Sequence, residues 1–390
     1  MFKFRILLTA LVAVALTLVV SATAGAALPT QFQASSIDLD EMRDYIEDEL
    51  DDNAVGFGYA IARNGQLKKY GGGGYARTPD DGDVAFTSKQ RIEVMSVTKN
   101  ATAVGVLRLL DRLDISVDEP IHPWLPDEWA QGLGFWGSGG VTFRHLLSHT
   151  SGLNQAFLAL NNPDNQAQWG NDWDGLEFVV ANGTSPGSTA SYKNANYALF
   201  RILIPALWRD LDPSIPQVTK WNSWELYLSY MQKNLFEPIG IKSVTCWAAN
   251  PATAPLAYDI ADPDKSGALV QRIGSSLYGC GGHAGLHLSA RDLVKFQVYL
   301  RHTEKLLTNE TRALMDTHLE LGWNKNSNGS GSWAGKFWHG GDGFFSNGRE
   351  IHTCVMKFPD NVEASLVVNS KLTGGQTQCG VLVDAFDAAA

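Results

Sequence analysis

A chain of 390 residues with 31 Lys+Arg against 41 Asp+Glu carries a formal charge of −10, and 44% of its residues are hydrophobic. That balance excludes a disordered chain and, with no basic run anywhere, argues against nucleic acid or another polyanion as partner. The length suits two or three folding units, or one extended domain of two lobes.

The N-terminus places Lys3 and Arg5 ahead of an apolar run from Ile6 to Val20, followed by the small residues Ala22, Ala24 and Ala26. This is the order of a secretory signal peptide over residues 1–27, so the mature chain is expected to be secreted or periplasmic. An N-terminal anchor with the domain outside is the alternative, because the apolar stretch approaches the length that spans a bilayer. No second long apolar run follows, so no stable span is expected after cleavage.

Residues 38–50 set Met42, Tyr45, Ile46 and Leu50 at helical spacing among acids. Residues 55–62 and 66–70 flank Asn64-Gly65 and read as a β-hairpin, its second strand ended by Gly71 to Gly74. Helical patterns follow at 101–113, 142–147, 197–208, 224–233 and 289–300, and loops dominate 154–191. Residues 333–339, 351–358 and 364–368 read as strands, with a closing helix over 381–389. Strands at both ends and helices between imply an α/β fold, an antiparallel sheet built from both termini and flanked by helices, with an inserted, mostly helical lobe.

The four cysteines, Cys246, Cys280, Cys354 and Cys379, lie in the C-terminal half, and export permits disulfides. Four thiols allow three pairings, and the sequence does not choose among them. The favoured expectation, Cys246 with Cys280 and Cys354 with Cys379, joins elements near in sequence. No C-x-x-C occurs, which argues against a zinc knuckle. His145 and His149 stand four apart, but no acidic third ligand sits at useful spacing, so no metal and no organic cofactor are expected. Trp169 and Trp173 lie where an aromatic cleft wall is conceivable, although tryptophans more often pack in cores.

Ser96-Val97-Thr98-Lys99 is the one Ser-x-x-Lys tetrad in the chain. It sits where a short β-like run gives way to a helix, so Ser96 and Lys99 share one helix face near its N-terminus. An amine beside a hydroxyl can take its proton, and helix N-terminal amides favour a developing oxyanion. Tyr192-Lys193-Asn194 and His339-Gly340-Gly341 follow in chain order, the first between a Pro-Gly turn and a helix, the second on a C-terminal strand.

With these three elements in order, the sequence resembles the serine β-lactamase and penicillin-recognising enzyme superfamily, closest to its class C β-lactamase, DD-peptidase and esterase branch. The supporting segments are 141–153, 235–240 and 281–296. The resemblance implies a β-lactamase/transpeptidase-like fold: a single catalytic domain over 28–390, with an α/β lobe at about 38–95 and 270–390 and a helical lobe at about 96–269. It implies Ser96 as acylated nucleophile, with Lys99 and Tyr192 as its proton partners. Asn194, His339, Gly340, Gly341 and Asp342 would bind substrate, with the amides of Ser96 and Asp342 as oxyanion donors.

The departure from the family pattern is His339, where a lysine often helps hold a substrate carboxylate; a neutral imidazole would do so less well. Asp342 would recognise a substrate amine if it faces the cleft, and would otherwise be a turn residue. The expected activity is hydrolysis of a small ester, amide, short peptide or lactam by a monomeric enzyme, esterase or D-amino-acid peptidase work being favoured over true β-lactamase work. The competing expectation is an inactive ligand-binding module of the same fold. An α/β-hydrolase is disfavoured by the lack of any Gly-x-Ser-x-Gly.

Overall fold

The computed structural model describes residues 37–129, 140–153, 173–183, 185–270, 280–317, 321–324 and 331–390. The expected signal segment and Trp169 lie outside the described residues. Asp38 starts helix α1 (Leu39–Leu50) by accepting hydrogen bonds from the amides of Asp40 and Glu41. Met42, Ile46 and Leu50 then bury one stripe of that helix. The chain turns into strands β1 (Gly56–Arg63) and β2 (Gln66–Arg77), joined at Asn64-Gly65, where both residues adopt positive φ, 51° and 76°. That is the backbone a tight hairpin demands.

β1 and β2 join the C-terminal strands β8 (Phe337–Phe344), β9 (Glu350–Lys357) and β10 (Val362–Val368) in one antiparallel sheet. With the short β3 (Val84–Ala85), the order is β3-β2-β1-β10-β9-β8. β8 is therefore an edge strand. α1 and the closing α10 (Gln378–Ala388) cover one face, where Ile46, Tyr59, Ile61, Met356, Leu382 and Phe386 share a core. α8 (Ala290–His302) covers the other face over β1, β9 and β10. Coverage on both sides explains why β1 and β10 are buried along almost their whole length.

The remaining α-helices among the described residues are α2 (Thr98–Leu113), α3 (Phe143–Leu147), α4 (Trp173–Asn182), α5 (Asn194–Ala198), α6 (Phe200–Leu211), α7 (Ser223–Met231) and α9 (Asn309–Thr317). Two small ladders complete the fold, β4 (Ile92–Glu93) with β7 (His287–Leu288) and β5 (Leu256–Ala257) with β6 (Ala268–Leu269). Residues Ile37–Ala390 group into one compact unit. No helix among the described residues is long and apolar enough to cross a membrane.

Three sequence expectations are corrected. The glycine run does not end β2; the strand continues through Gly71–Gly74 to Arg77. A Cβ on Gly71 would stand 2.6 Å from the Tyr59 hydroxyl and one on Gly73 2.7 Å from the Phe57 ring, so aromatic side chains of β1 require glycine there. The stretch read as loop contains α4, whose Leu176, Val179 and Val180 are buried. Trp173 packs against Trp129 with centroids 5.0 Å apart and is 6% exposed, a core residue. Finally, the strand expected over 333–339 begins at Phe337 and runs through three glycines to Phe344, while Gly331–Trp333 forms a 3-10 turn.

Cys246 pairs with Cys280 and Cys354 with Cys379. The second bridge ties β9 to the start of α10 across 25 residues. Cross-linking removes conformational freedom from the unfolded chain. Replacing Cys354 and Cys379 by alanine together is expected to lower the unfolding free energy by about 2–4 kcal/mol. Urea denaturation reads this as a lower midpoint, and an unchanged midpoint would contradict it.

Candidate active site

Ser96 lies in a 3-10 turn, Met95–Val97, that runs directly into α2. The turn is fixed from behind. The Val94 amide donates to Leu286 O at 2.8 Å, and Thr353 Oγ1 of β9 donates to Val94 O at 2.8 Å. Met95 has φ 49°, a left-handed conformation that costs a non-glycine residue about 1–2 kcal/mol and persists only where surroundings enforce it. Gly341 of β8 presses on the same turn. A Cβ there would fall 2.5 Å from both Val94 O and Thr353 Oγ1, so only glycine lets the strand approach the serine.

One helical turn on, Lys99 is fully buried. Its Nζ stands 2.9 Å from Ser96 Oγ and donates to His283 O at 2.9 Å. Burial holds the amine well below its ordinary pKa of 10.5. A neutral amine against a hydroxyl can accept that hydroxyl's proton. The rings of Tyr192 and Tyr197 lie 4.8 Å and 6.0 Å from Nζ.

Tyr192 is 46% exposed overall, but its hydroxyl reaches into the site and hydrogen-bonds Ser96. Burial of that hydroxyl pushes it up to about 12; the Ser96 bond pulls the other way and the Asp342 charge adds to the rise. The phenol therefore keeps its proton at neutral pH. Ser96, Lys99 and Tyr192 are thus brought together as the motifs imply.

His149 holds Tyr192 in place, a role the sequence did not single out. The Ser191 amide donates to His149 O at 2.8 Å, the Lys193 amide to His149 Nδ1 at 3.3 Å, and the Tyr192 and His149 ring centroids are 4.5 Å apart. Asn196 Nδ2 also meets Nδ1, at 3.1 Å, and Asn196 bonds Ser151 in turn. Two amide donors on Nδ1 leave the ring proton on Nε2 and the ring neutral. Burial, the largest cause, pushes its pKa down to about 3, in agreement. The signal lay in residues 141–153, a segment that supports the family resemblance; within it the sequence sets His149 apart only through its spacing from His145, the spacing of a metal-ligand pair. Among the described residues no three His, Cys, Asp or Glu side chains form a metal-binding group.

His339 is 3% exposed, and its Nδ1 meets Gly340 O at 2.7 Å. Burial, the largest cause, pushes it down to about 3. The position occupied by a cation in the family pattern is here a neutral imidazole. Gly340 faces α10, where a Cβ would meet Gln378 and Cys379, and so does not line the cleft through a side chain. Asn194 is the half-buried first residue of α5, two beyond Tyr192.

Asp342 lies within β8 rather than in a turn, which corrects that reading. Its Oδ1 meets His352 Nδ1 at 2.7 Å and Gln378 Nε2 at 3.1 Å. Its amide faces the free edge of the sheet: Trp338 exchanges backbone hydrogen bonds with Asn324 outside the sheet, and strand alternation gives residue 342 the same orientation.

The two neutral histidines carry a stability prediction. With folded values near 3 against 6.5 unfolded, the unfolded chain binds protons that the folded chain refuses, so stability falls as pH drops from 6.5 towards 3. Each histidine contributes a slope of up to about 1.4 kcal/mol per pH unit. His339→Asn is expected to flatten the pH dependence of unfolding free energy in that window; an unchanged slope would contradict the buried neutral ring.

Comparison with known proteins agrees with this geometry. A family model described as Beta-lactamase matches residues 42–372. Esterase EstB of Burkholderia gladioli is 33% identical over 137 residues, 34% of this chain and 33% of that protein. Penicillin-binding protein 4* of Bacillus subtilis (strain 168) is 26% identical over 156 residues, 37% of this chain and 30% of that protein. The alignments thus span about a third of these relatives. Among solved structures, the octameric penicillin-binding protein homologue from Pyrococcus abyssi superposes with a TM-score of 0.66 at 18% identity, covering 90% of this chain and 76% of that one. A D-amino acid amidase from Ochrobactrum anthropi SV3 gives 0.63 at 20% identity, covering 90% and 97%. At such identities the structures establish the fold, and the family match, running from α1 to beyond β10, establishes the lineage: the chain belongs to the β-lactamase family, with the fold of its hydrolases and penicillin-binding proteins.

Proposed function

We propose that the protein is an exported serine hydrolase that works through an acyl-enzyme on small, neutral or amine-bearing esters or amides. The observation that carries this is the Lys99 amine, buried and 2.9 Å from Ser96 Oγ. In this reading Ser96 attacks the carbonyl carbon while its proton passes to Lys99. The carbonyl oxygen becomes an oxyanion held by the amides of Ser96 and Asp342, each donor contributing a few kcal/mol of transition-state stabilisation. Tyr192, protonated and bonded to Ser96, relays a proton to the leaving alkoxide or amine. The pair then deprotonates the water that releases the acyl group. Asn194, beside Tyr192, contacts the acyl part of the substrate.

Substrate charge follows from His339. A neutral ring at this place offers no cation to a substrate carboxylate, which lowers the expected activity on β-lactams and on peptides ending in a free carboxylate. The relatives named as an esterase and as a D-amino acid amidase fit this preference. Export is supported by the two disulfides, which persist in oxidising compartments. The complete set of Ser96, Lys99 and Tyr192 speaks against an inactive binding module.

Two tests apply. In a panel of p-nitrophenyl esters, D-amino-acid amides, D-Ala-D-Ala peptides and a chromogenic cephalosporin, the first two classes are expected to turn over fastest. Ser96→Ala is expected to lose at least about 1,000-fold in kcat, and a fluorophosphonate is expected to label Ser96 by peptide mass spectrometry. Unchanged turnover in Ser96→Ala, or a label on another serine, would overturn the mechanism. In kcat/KM against pH, activity requires unprotonated Lys99, so it falls as pH drops through the lowered amine pKa. An acid limb centred near the ordinary 10.5 would contradict the neutral amine.

A further inference from the structure

Strand β9 reaches both sides of the sheet with consecutive residues. Thr353 points towards the nucleophile and holds Val94 O, two residues before Ser96. His352 points to the opposite side, and its two ring nitrogens each meet a carboxylate: Nδ1 lies 2.7 Å from Asp342 Oδ1 on β8, and Nε2 2.8 Å from Glu350 Oε2 on its own strand. An ionised carboxylate can only accept hydrogen bonds, so both contacts are satisfied only when both nitrogens carry protons. The arrangement is that of an imidazolium clamped between two anions.

The clamp sits where the edge strand needs it. Among the described residues β8 is bordered within the sheet by β9 alone, apart from the single bridge of Trp338 to Asn324, and it contains Gly340, Gly341 and Gly343, which supply no side-chain packing. The orientation of the Trp338 amide places Asp342 and His352 as a non-hydrogen-bonded pair, so the backbone ladder supplies no bond between them. Their side chains supply one instead. Gln378 at the start of α10 adds a second hold, donating from Nε2 to Asp342 Oδ1 and to Thr353 O, both at 3.1 Å.

We propose that His352, as an imidazolium bridging Asp342 and Glu350, is the positioning residue that fixes strand β8 so that the Asp342 amide faces Ser96. This rests on the reading of that amide as an oxyanion donor. His352 touches no reacting atom; it acts through Asp342. The charged groups facing it are Asp342 from β8 and Glu350 from β9, while α10 presents the neutral Gln378, β10 the apolar Val368 and the end of β8 the Phe344 ring, 5.9 Å away. Burial lowers the pKa of His352, but its hydrogen bonds to Asp342 and then Glu350, with their charges, raise it above 6.5 overall. When the ring finally loses its proton, one nitrogen presents a lone pair to a carboxylate, and one side of the clamp opens.

The expected signature is an alkaline limb in kcat. Tyr192 is pushed up to about 12 and Lys99 is lowered by burial, and the His352 and Glu350 variants assign the limb to the clamp. The experiment measures kcat and KM against pH on the ester that wild type turns over fastest, with Ser96 labelling by fluorophosphonate as an independent check that the acylation chemistry stands. His352→Phe is expected to lower kcat by about 10- to 100-fold with KM changed less than about threefold, and to abolish the limb. His352→Arg, a permanent cation able to bridge two carboxylates, is expected to restore most of kcat and also to lack the limb. Glu350→Gln removes one anion and is expected to move the limb to lower pH. Wild-type kcat with an intact limb in His352→Phe, or a loss confined to KM, would overturn the proposal. If His352→Phe does not fold, Glu350→Gln decides: a limb that stays in place refutes it. Absence of Ser96 labelling in wild type would refute the acyl-enzyme reading instead, which keeps the two failures distinct.

Discussion

The amine of Lys99 is removed from water and set between a serine hydroxyl and a peptide carbonyl, and the surrounding site is arranged around that choice. An ammonium there would lack the solvation that stabilises its charge, so the group surrenders its proton more readily than an exposed lysine does. The rings near it follow the same logic. His149 and His339 are buried and neutral, and Tyr192 keeps its proton. Burial therefore disfavours charge at each of these groups.

Positioning comes from three separate parts of the chain. α2 and its preceding turn bring Ser96 and Lys99; the His149 segment braces Tyr192 from the side; β8 presses Gly341 against the turn before Ser96. β9 links the first and third, since Thr353 holds Val94 while Gly341 is pressed against the same carbonyl. The cost of Met95 in a left-handed conformation is carried by these contacts, and local strain at a nucleophile is a common companion of function. The Cys354–Cys379 bridge and α10 stiffen β9 in turn.

Much of this was legible in the sequence. The sequence motifs named Ser96, Lys99 and Tyr192, and the structure brings the three together; Ser96 and Lys99 were legible because a hydroxyl and an amine that meet on one helix need a fixed separation. The Asn64-Gly65 hairpin and the amphipathic stripes of α1 and α8 were plain because each is a local signal. The glycine run Gly71 to Gly74 was misread for a physical reason: these residues are small because aromatic rings or another backbone come close, and that crowding is a property of the fold rather than of neighbours in sequence. His149 was hidden likewise. Its hydrogen bonds to Lys193 and Asn196 cross more than 40 residues. Asp342 read as a turn residue because its partners on β9 and α10 are equally remote.

In the proposed function, the net acidity of the chain and the neutral His339 together disfavour anionic substrates, and the acylation step rests on a Lys99 that is not cationic at neutral pH. The protonation state of Lys99 itself is the most direct test of the account. Selective 13C labelling of lysine, with the Lys99 resonance assigned by its loss in Lys99→Met, allows its side chain to be titrated by NMR. The account predicts a midpoint well below 10.5 and a neutral amine in the folded enzyme at the pH of catalysis. A Lys99 resonance that remains that of an ammonium until pH approaches 10.5 would contradict it.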